Sequence, residues 1–330
     1  MSESVRWGIL STANIAVSAF IPALRQTTRG KLVGVASRDS ERATAFAAEH
    51  EIEQSFGSYD ELLASDQIDA IYNPLPNSMH AEWTAKAAAA GKHVFCEKPL
   101  GATSAECDQM VAACDAGGVL LFEAFVFLYH PMSLELREVI DAGQIGDLVQ
   151  MQASFTFPLK RPTDNIRMNK ELAGGSLMDV GCYPITYARF IFGEEPESVQ
   201  AACHIDPDYD VDSRASIILT FSGQRHASLQ QGFDAPGGQR AIIHGSSGYI
   251  EVPQPCHPNE EDHFIVHADG GKEVVAVDAG VRSFAPAIEH FHDCILDDVE
   301  PIATGANAAG TMRVIEAVLE SSRTGRRIDL

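Results

Sequence analysis

Two short stretches of the chain carry side chains that are suited to moving a proton. The tripeptide Glu97-Lys98-Pro99 comes just after an apolar run, and much later Asp179 and Tyr183 stand four residues apart. A phenol has an ordinary pKa of about 10, and an ammonium group close to it lowers that pKa. Oxidation of a carbinol needs such a group, because the hydroxyl proton must be removed as hydride leaves the carbon. Together with a nucleotide-type N-terminus, these stretches supply what hydride transfer at a carbinol carbon needs, which makes Lys98, Asp179 and Tyr183 candidate catalytic residues.

Both stretches also have a purely structural interpretation. Lys98 would then be a surface lysine paired with Glu97, Asp179 would cap a helix, and Tyr183 would be a packed aromatic ring. If the helix has begun at Asp179, its carboxylate and the Tyr183 phenol lie on one face. Gly181 between them lets a backbone or a ligand come close. In the functional interpretation, Asp179 binds a substrate hydroxyl or orients the lysine.

The N-terminal segment Gly8–Ala16 is a degenerate form of a dinucleotide-binding motif. A strand is predicted over Arg6–Leu10 and a helix over Asn14–Arg25, and two of the glycines expected between them are replaced by Ser11 and Ala13. Such small side chains still allow a pyrophosphate to approach the backbone and the start of the helix. A plain strand–loop–helix would look similar, so this segment alone does not decide between the two.

The end of the second predicted strand, Lys31–Ala36, favours NADP over NAD as the cofactor. NAD sites use a carboxylate at this place to bind the ribose hydroxyl. Here the strand is followed by Ser37 and Arg38, with Arg42 one turn further on. A hydroxyl and guanidinium groups suit a 2′-phosphate, although NAD stays possible. The structural alternative is a helix start capped by Asp39 or Ser40.

The segment Asn73–His80 follows another apolar run and contains two prolines, Pro74 and Pro76. Ligands bind at the carboxyl ends of strands in open α/β sheets, so this stiff loop is a candidate cofactor contact. Asn77 could instead cap the next helix. We expect His80 to be a structural or cofactor-contacting residue rather than a general base.

Apolar runs alternate with amphipathic stretches through the first half of the chain, which is typical of βαβ units. After Gly146 the pattern changes to strand-like segments separated by turns such as Ser222-Gly223, which predicts antiparallel hairpins. One helix, Leu177–Phe192, interrupts them, and two more are predicted over Phe284–Leu296 and Asn307–Ser322.

The predicted fold class is α/β. Residues 1–124 are predicted to form a Rossmann domain with a doubly wound parallel sheet, and residues 125–330 an α+β domain with an open, mainly antiparallel sheet. The second domain would bind the substrate and form a dimer, while the last helices could pack on either half.

The composition excludes several other classes of protein. The 330 residues include 24 Lys and Arg but 46 Asp and Glu, for a net charge of −22, which argues against nucleic acid or an anionic membrane as a partner. Seven cysteines without paired spacing fit reduced thiols, and no apolar run is long enough to span a bilayer, so we expect a cytoplasmic protein. His290 and His292 point to different helix faces, so no metal site is predicted.

The sequence resembles the glucose–fructose oxidoreductase, inositol dehydrogenase and MocA family over nearly its whole length. Within it, the chain is most similar to the dimeric dihydrodiol dehydrogenases and NADP-dependent D-xylose dehydrogenases. The stretches that carry the resemblance are Trp7–Ala16, Asn73–His80, Glu97-Lys98-Pro99, Glu123-Ala124-Phe125 and Gly174–Tyr183. The chain departs from the family pattern at Leu128, where related sequences often have an arginine before the pair His130-Pro131.

The resemblance implies that Lys98 and Tyr183 are catalytic and that Asp179 assists them. It also implies cofactor contacts at Ser11, Thr12, Ala13, Asn14, Ile15, Ser37, Arg38, Pro74, Leu75, Asn77, His80, Glu97, Lys98 and Arg167.

The predicted reaction is NADP-dependent oxidation of an aldose such as D-xylose at C1 to a lactone. Oxidation of a trans-1,2-dihydrodiol and reduction of a sugar ketone of the anhydrofructose type are the alternative reactions, and an NADP-sensing regulator is the alternative without catalysis. Because large apolar faces are usually interfaces, we also expect a homodimer joined through the second sheet.

Overall fold

In the computed structural model, which describes residues 4–281 and 283–330, the apolar runs of the first half form one six-stranded sheet. Its strands are β1 (Val5–Leu10), β2 (Gly30–Ala36), β3 (Gln54–Phe56), β4 (Ala70–Asn73), β5 (His93–Cys96) and β6 (Leu121–Glu123). The order is β3-β2-β1-β4-β5-β6, and every neighbouring pair is parallel. β1 and β4 are almost entirely buried, as expected when helices cover both faces. This is the predicted doubly wound Rossmann sheet.

Five helices connect these strands: α1 (Ile21–Leu24), α2 (Ser40–Glu49), α3 (Tyr59–Leu63), α4 (His80–Ala89) and α5 (Ser104–Gly117). The regular helix predicted over Asn14–Arg25 is wrong in detail, because a π-helical turn, Ala16–Phe20, precedes α1. Pro22 accounts for the change, since it has no amide hydrogen for the bond that an α-helix would make to Ser18.

The chain divides into two units, Met1–Tyr129 with Val281–Ala309, and His130–Gly280 with Gly310–Leu330. The helix α8 (Phe284–Asp297) belongs to the first unit, where the ring centroids of Phe291 and Trp7 are 5.3 Å apart. The Trp7 indole donates a 2.9 Å hydrogen bond to Nε2 of His292, and both side chains are fully buried. α8 thus completes the core of the first unit. The boundary between the two domains that was predicted at residue 124 stays a prediction.

Acidification is expected to lower the free energy of unfolding through His292. Burial lowers the pKa of this histidine below its ordinary 6.5. The unfolded chain therefore takes up the proton first, so the stabilisation is present above pH 6.5 and is lost as the pH falls through the folded pKa. Thermal unfolding between about pH 7.5 and 5.5 measures the loss. His292→Gln should reduce this pH dependence, whereas the same change at the exposed His226 should not; equal behaviour of the two variants would contradict the assignment.

The second unit is built on a nine-stranded sheet. Its strands are β7 (Leu148–Thr156), β8 (Ser198–Ile205), β9 (Asp212–Phe221), β10 (Arg225–Gly232), β11 (Gly238–Gly245), β12 (Gly248–Val252), β13 (Glu261–Ala268), β14 (Gly271–Asp278) and β15 (Ile328–Asp329). The helices α6 (Pro131–Asp141) and α7 (Cys182–Phe192) belong to this unit, and α9 (Gly305–Thr324) begins in the first unit and continues into this one. In the parts of the chain that the structure describes, none of the helices has the length and apolar character needed to cross a membrane.

The strand order is β14-β13-β12-β11-β7-β10-β9-β8-β15, and all pairs are antiparallel except β7 with β10, which are parallel. The prediction of a mainly antiparallel sheet is confirmed. The expectation that the strands form simple hairpins is wrong for β7, because α7 and two further strands lie between β7 and β10 in the sequence.

Alternate residues of β7 and β10 face away from the core of the second unit. The exposed side chains on these strands include Gln150, Gln152, Ser228 and Gln230, while the neighbouring β9 contributes Ile218. The exposed face is thus largely polar. These three strands do not present the large apolar face that the homodimer prediction assumed, and the homodimer itself stays a prediction.

Candidate active site

The loop after β1 presents a buried hydroxyl at the place where a dinucleotide motif would bind phosphate. Ser11 has a φ of 99°, a left-handed conformation that normally favours glycine, which explains why this position is usually glycine. Its amide donates to the carbonyl of Ala36, while its Oγ is buried and has no hydrogen-bond partner in the described part of the chain. Such an orphaned hydroxyl suits a phosphate oxygen. Thr12 and Ala13 are half-buried and Asn14 and Ile15 are exposed, so the predicted loop is accessible.

The end of β2 carries the predicted determinants of a 2′-phosphate. Asp39 accepts hydrogen bonds from the amides of Glu41 and Arg42, so its carboxylate caps α2 as the structural alternative predicted. Arg38 and Arg42 are exposed and lie close enough to Tyr59 to counter the rise in its phenol pKa that burial causes. Two guanidinium groups therefore lie near Tyr59, and one of them belongs to the residue after buried Ser37, while the nearby Asp39 carboxylate is engaged by the helix.

Lys98 follows β5, and two buried side chains, His80 and Glu123, attach its segment to the rest of the first unit. The ring nitrogens of His80 lie 3.0 Å from the Pro99 carbonyl oxygen and 2.8 Å from that of Leu75. The amide of Leu100 donates to the Glu123 carboxylate at 2.8 Å. Burial lowers the pKa of His80 and its side chain is fully enclosed, so His80 has a structural role here and is not placed to act as a general base.

Lys98 itself is half-buried, and one oxygen of the neighbouring Glu97 accepts a 2.6 Å hydrogen bond from the Tyr72 phenol. Pro74 and Leu75 are buried at the end of β4 and Asn77 is half-buried. The predicted residues of the first unit are thus gathered at the carboxyl ends of β1, β2, β4 and β5, which meet at one edge of the sheet.

In the second unit the structure pairs Arg167 with Asp179, four residues before Tyr183. Arg167 Nε donates a 2.6 Å hydrogen bond to the Asp179 carboxylate. Asp179 lies in a π-helical turn, Leu177–Gly181, and Tyr183 in the first turn of α7, so the uniform helix predicted here is wrong for the first five residues. Such turns occur often at functional sites.

Asp212, the first residue of β9, holds the start of that segment and was not singled out from the sequence. Its buried carboxylate accepts hydrogen bonds from the Ser176 hydroxyl at 2.6 Å and the Leu177 amide at 2.7 Å. Gly175 makes this approach possible, since it has a φ of 119° and a Cβ there would collide with the carboxylate. Gly181 has a similar function, because a Cβ would come within 3.0 Å of the Gln231 side chain.

Asp212→Ala is expected to destabilise the fold and to disturb Tyr183. The substitution leaves two buried donors without an acceptor, and each such group costs about 1–3 kcal/mol. Asp212→Asn keeps one acceptor oxygen and should lose much less. Urea unfolding of both variants measures the difference, and equal stability of the alanine variant and the wild type would contradict this role.

The Tyr183 ring is only 4% exposed and packs against two rings of the same unit. Its centroid is 5.5 Å from that of Phe155 and 4.6 Å from that of His257. His257, and Gln239 which contacts it, were not predicted from the sequence. Gln239 lies on β11 and His257 follows β12, so both are far from Tyr183 in the chain, and neither belongs to a recognisable motif.

The first unit is a Rossmann sheet with an orphaned hydroxyl after β1, and the second unit carries a buried phenol. Together these features define a nucleotide-dependent oxidoreductase. Residues 5–125 match the family model described as oxidoreductase family, NAD-binding Rossmann fold, and residues 133–251 match the GFO/IDH/MocA C-terminal domain. The chain belongs to the GFO/IDH/MocA family of oxidoreductases.

The similarity of this chain to its relatives extends over most of their length. The chain is 35% identical to D-xylose 1-dehydrogenase (NADP(+)) 2 of Haloferax volcanii, over 98% of this chain and 99% of the relative. It is 36% identical to trans-1,2-dihydrobenzene-1,2-diol dehydrogenase of Xenopus laevis over 76% of each chain. A crystal structure of a 3-ketoreductase from Actinomadura kijaniata with NADP and TDP-benzene matches with a TM-score of 0.89 at 30% identity, covering 96% of this chain and 98% of that one. These comparisons confirm the predicted family and branch, and an oxidoreductase that acts on CH–OH groups with NADP.

Proposed function

We propose that this chain oxidises an aldose of the D-xylose type at C1 to a lactone, with NADP as the hydride acceptor. The observation that carries the proposal is the phenol of Tyr183, which lies in the first turn of α7, four residues after the Asp179 carboxylate that pairs with Arg167. The relative that matches this chain over 98% of its length is named as a D-xylose 1-dehydrogenase, which favours that substrate class.

In this proposal Tyr183 removes the proton of the substrate hydroxyl, and Lys98 supplies the positive charge that lowers the pKa of the phenol. Asp179, held by Arg167, orients the substrate through one of its hydroxyls or orients Lys98. The bound cofactor supplies the nicotinamide carbon that takes up hydride.

The first unit would hold the cofactor through the residues predicted from the sequence. Ser11 Oγ would donate to the pyrophosphate, and the loop from Thr12 to Ile15 would lie against it. Ser37, Arg38 and Arg42 would bind the 2′-phosphate, because guanidinium groups form strong charge-assisted hydrogen bonds with phosphate. Pro74, Leu75, Asn77, Glu97 and Lys98 complete the proposed contacts, with Arg167 from the second unit, while the enclosed His80 holds the loop through the Leu75 and Pro99 carbonyls.

The direct test is the absorbance of reduced cofactor, which should appear when the protein is mixed with NADP or NAD and an aldose or trans-dihydrodiol, and should disappear when it is mixed with NADPH or NADH and a keto sugar. Turnover of aldoses with NADP is expected to exceed all other combinations. Turnover confined to dihydrodiols, as the name of the Xenopus relative suggests, would overturn the substrate assignment. NADPH binding without turnover of any compound would identify a nucleotide-sensing regulator instead.

We further propose a homodimer joined through the exposed face of the nine-stranded sheet. The polar character of that face does not argue against it, because most interfaces are about as apolar as the remaining surface. Ile218, 47% exposed on β9, would lie within the contact. Light scattering at micromolar concentration should give twice the mass of the 35.6 kDa chain, and Ile218→Asp should reduce it; a monomer in the wild type would refute the dimer.

We place the protein in the cytoplasm. All seven cysteines lie in the described part of the chain, and none of them is in a disulfide. Burial raises the pKa of Cys107 and Cys114, the latter to about 12, so these thiols stay protonated and unreactive. This pattern is typical of a reducing compartment. A fluorescent fusion recovered outside the cytoplasm would contradict the placement.

A further inference from the structure

A glutamine close to Tyr183 fixes the chemical state of His257. Gln239 lies on β11, and its Oε1 accepts hydrogen bonds from the backbone amides of Cys256 and His257, each at 3.0 Å. Because two amide donors identify the oxygen, the NH₂ group is on the other side, 2.7 Å from Nδ1 of His257. Nδ1 is therefore a hydrogen-bond acceptor, and the ring hydrogen is on Nε2.

A second proton on this ring is disfavoured by the same contact. It would have to bind Nδ1, where it would face the NH₂ group of Gln239 donor to donor. Of the side chains that these contacts place against His257, Gln239 and Phe155 do not ionise, and the Tyr183 phenol does. The half-buried imidazole beside the phenol is thus held neutral.

The imidazole also fixes the Tyr183 ring sterically. Tyr183, His257 and Phe155 contact each other pairwise, with centroid distances of 4.6, 5.4 and 5.5 Å. A ring that is packed on two sides by other rings has little freedom to rotate away from a productive position.

We propose that Gln239 and His257 are positioning residues for Tyr183, which hold its phenol with a neutral imidazole and keep a second positive charge away from it. The inference rests on the proposed function, in which Tyr183 exchanges the proton and Lys98 alone supplies the tuning charge. An imidazolium in contact with the phenol would lower the phenol pKa further and weaken it as a base.

The decisive variant is Gln239→Glu. A carboxylate still accepts from both backbone amides, but it now accepts from Nδ1 as well, so the imidazolium becomes favourable. Nitrogen NMR of histidine-labelled protein should show hydrogen on Nε2 alone in the wild type and on both nitrogens in the variant. The limb of the kcat/KM profile that reports the phenol should move to lower pH, by less than the shift of about 1–3 that an uncompensated cation gives, because the new carboxylate offsets part of the imidazolium charge. Gln144→Glu makes the same change at an exposed position of the same unit and should alter neither readout.

A second pair of variants separates packing from charge. His257→Phe keeps a ring and cannot become charged, so it should keep the wild-type pH profile. The signals that are missing from its nitrogen NMR spectrum identify those of His257. His257→Ala removes the packing and should lower kcat more than His257→Phe, with KM changed less than kcat.

Three results would overturn the inference: hydrogen on Nδ1 in the wild type, a Gln239→Glu profile equal to that of Gln144→Glu, or equal losses in the two His257 variants. A wild type that turns over no sugar or diol would refute the proposed function, and the inference with it. The nitrogen spectrum would still report the Gln239–His257 contact, so the two failures are distinguishable.

Discussion

Tyr183→Phe is expected to lower kcat for sugar oxidation by about 10²–10⁴, because the general acid/base of the reaction is lost. The phenylalanine ring keeps the packing against Phe155 and His257, so the fold of the second unit should be unchanged. Titration of NADPH fluorescence should give the wild-type Kd, since the proposed cofactor contacts lie elsewhere. Steady-state rates and this titration together separate loss of chemistry from loss of binding.

The matched control is Tyr249→Phe, the same change on β12 of the same unit, where the ring stacks on His267. It should keep full activity. A Tyr183→Phe variant with more than a tenth of the wild-type kcat would exclude the phenol as the proton acceptor.

Lys98→Met is expected to lower kcat by at least about 10²-fold, while NADPH binding is largely kept. Methionine has a similar length and fills the half-buried position, but it removes the charge that lowers the phenol pKa. The kcat of the residual activity should rise steeply with pH, because the phenol then ionises only near its ordinary pKa of about 10. Lys31→Met, at an exposed position of β2, serves as the control.

The double variant tests whether the two groups act on one proton. If Lys98 works through the phenol, the loss in Lys98→Met/Tyr183→Phe should be close to that of the worse single variant. A loss equal to the product of the two single losses would show that the lysine and the tyrosine act independently.

Much of the first unit could be predicted from the sequence because buried parallel strands are continuous apolar runs, and some are followed by a recognisable helix start such as Asp39. The second sheet was harder. β13 and β14 were not predicted, although Asp269-Gly270, with φ of 51° and 71°, joins them in the way that such turns join hairpins. β14 is mostly exposed and carries no alternation of apolar and polar residues, so it gave no periodic signal.

The candidate site was predictable only where a residue type coincides with the end of a strand or the start of a helix, as for Lys98 and Tyr183. The residues that hold them were not. Glu123, Asp212 and Gln239 reach their partners over separations of 18 to 36 residues, through contacts that depend on the register of whole strands. A single sequence contains no local pattern for such pairs.

The return of α8 to the first unit has a consequence for synthesis on the ribosome. The six strands emerge before the second unit, but Phe291, which packs with Phe95 and Phe122 at centroid distances of 5.7 and 4.7 Å, is made 169 residues after Phe122. Until then the nascent chain presents an aromatic surface that chaperones would recognise. The nucleotide-binding half therefore matures only after strands β7 to β14 of the other unit have been translated.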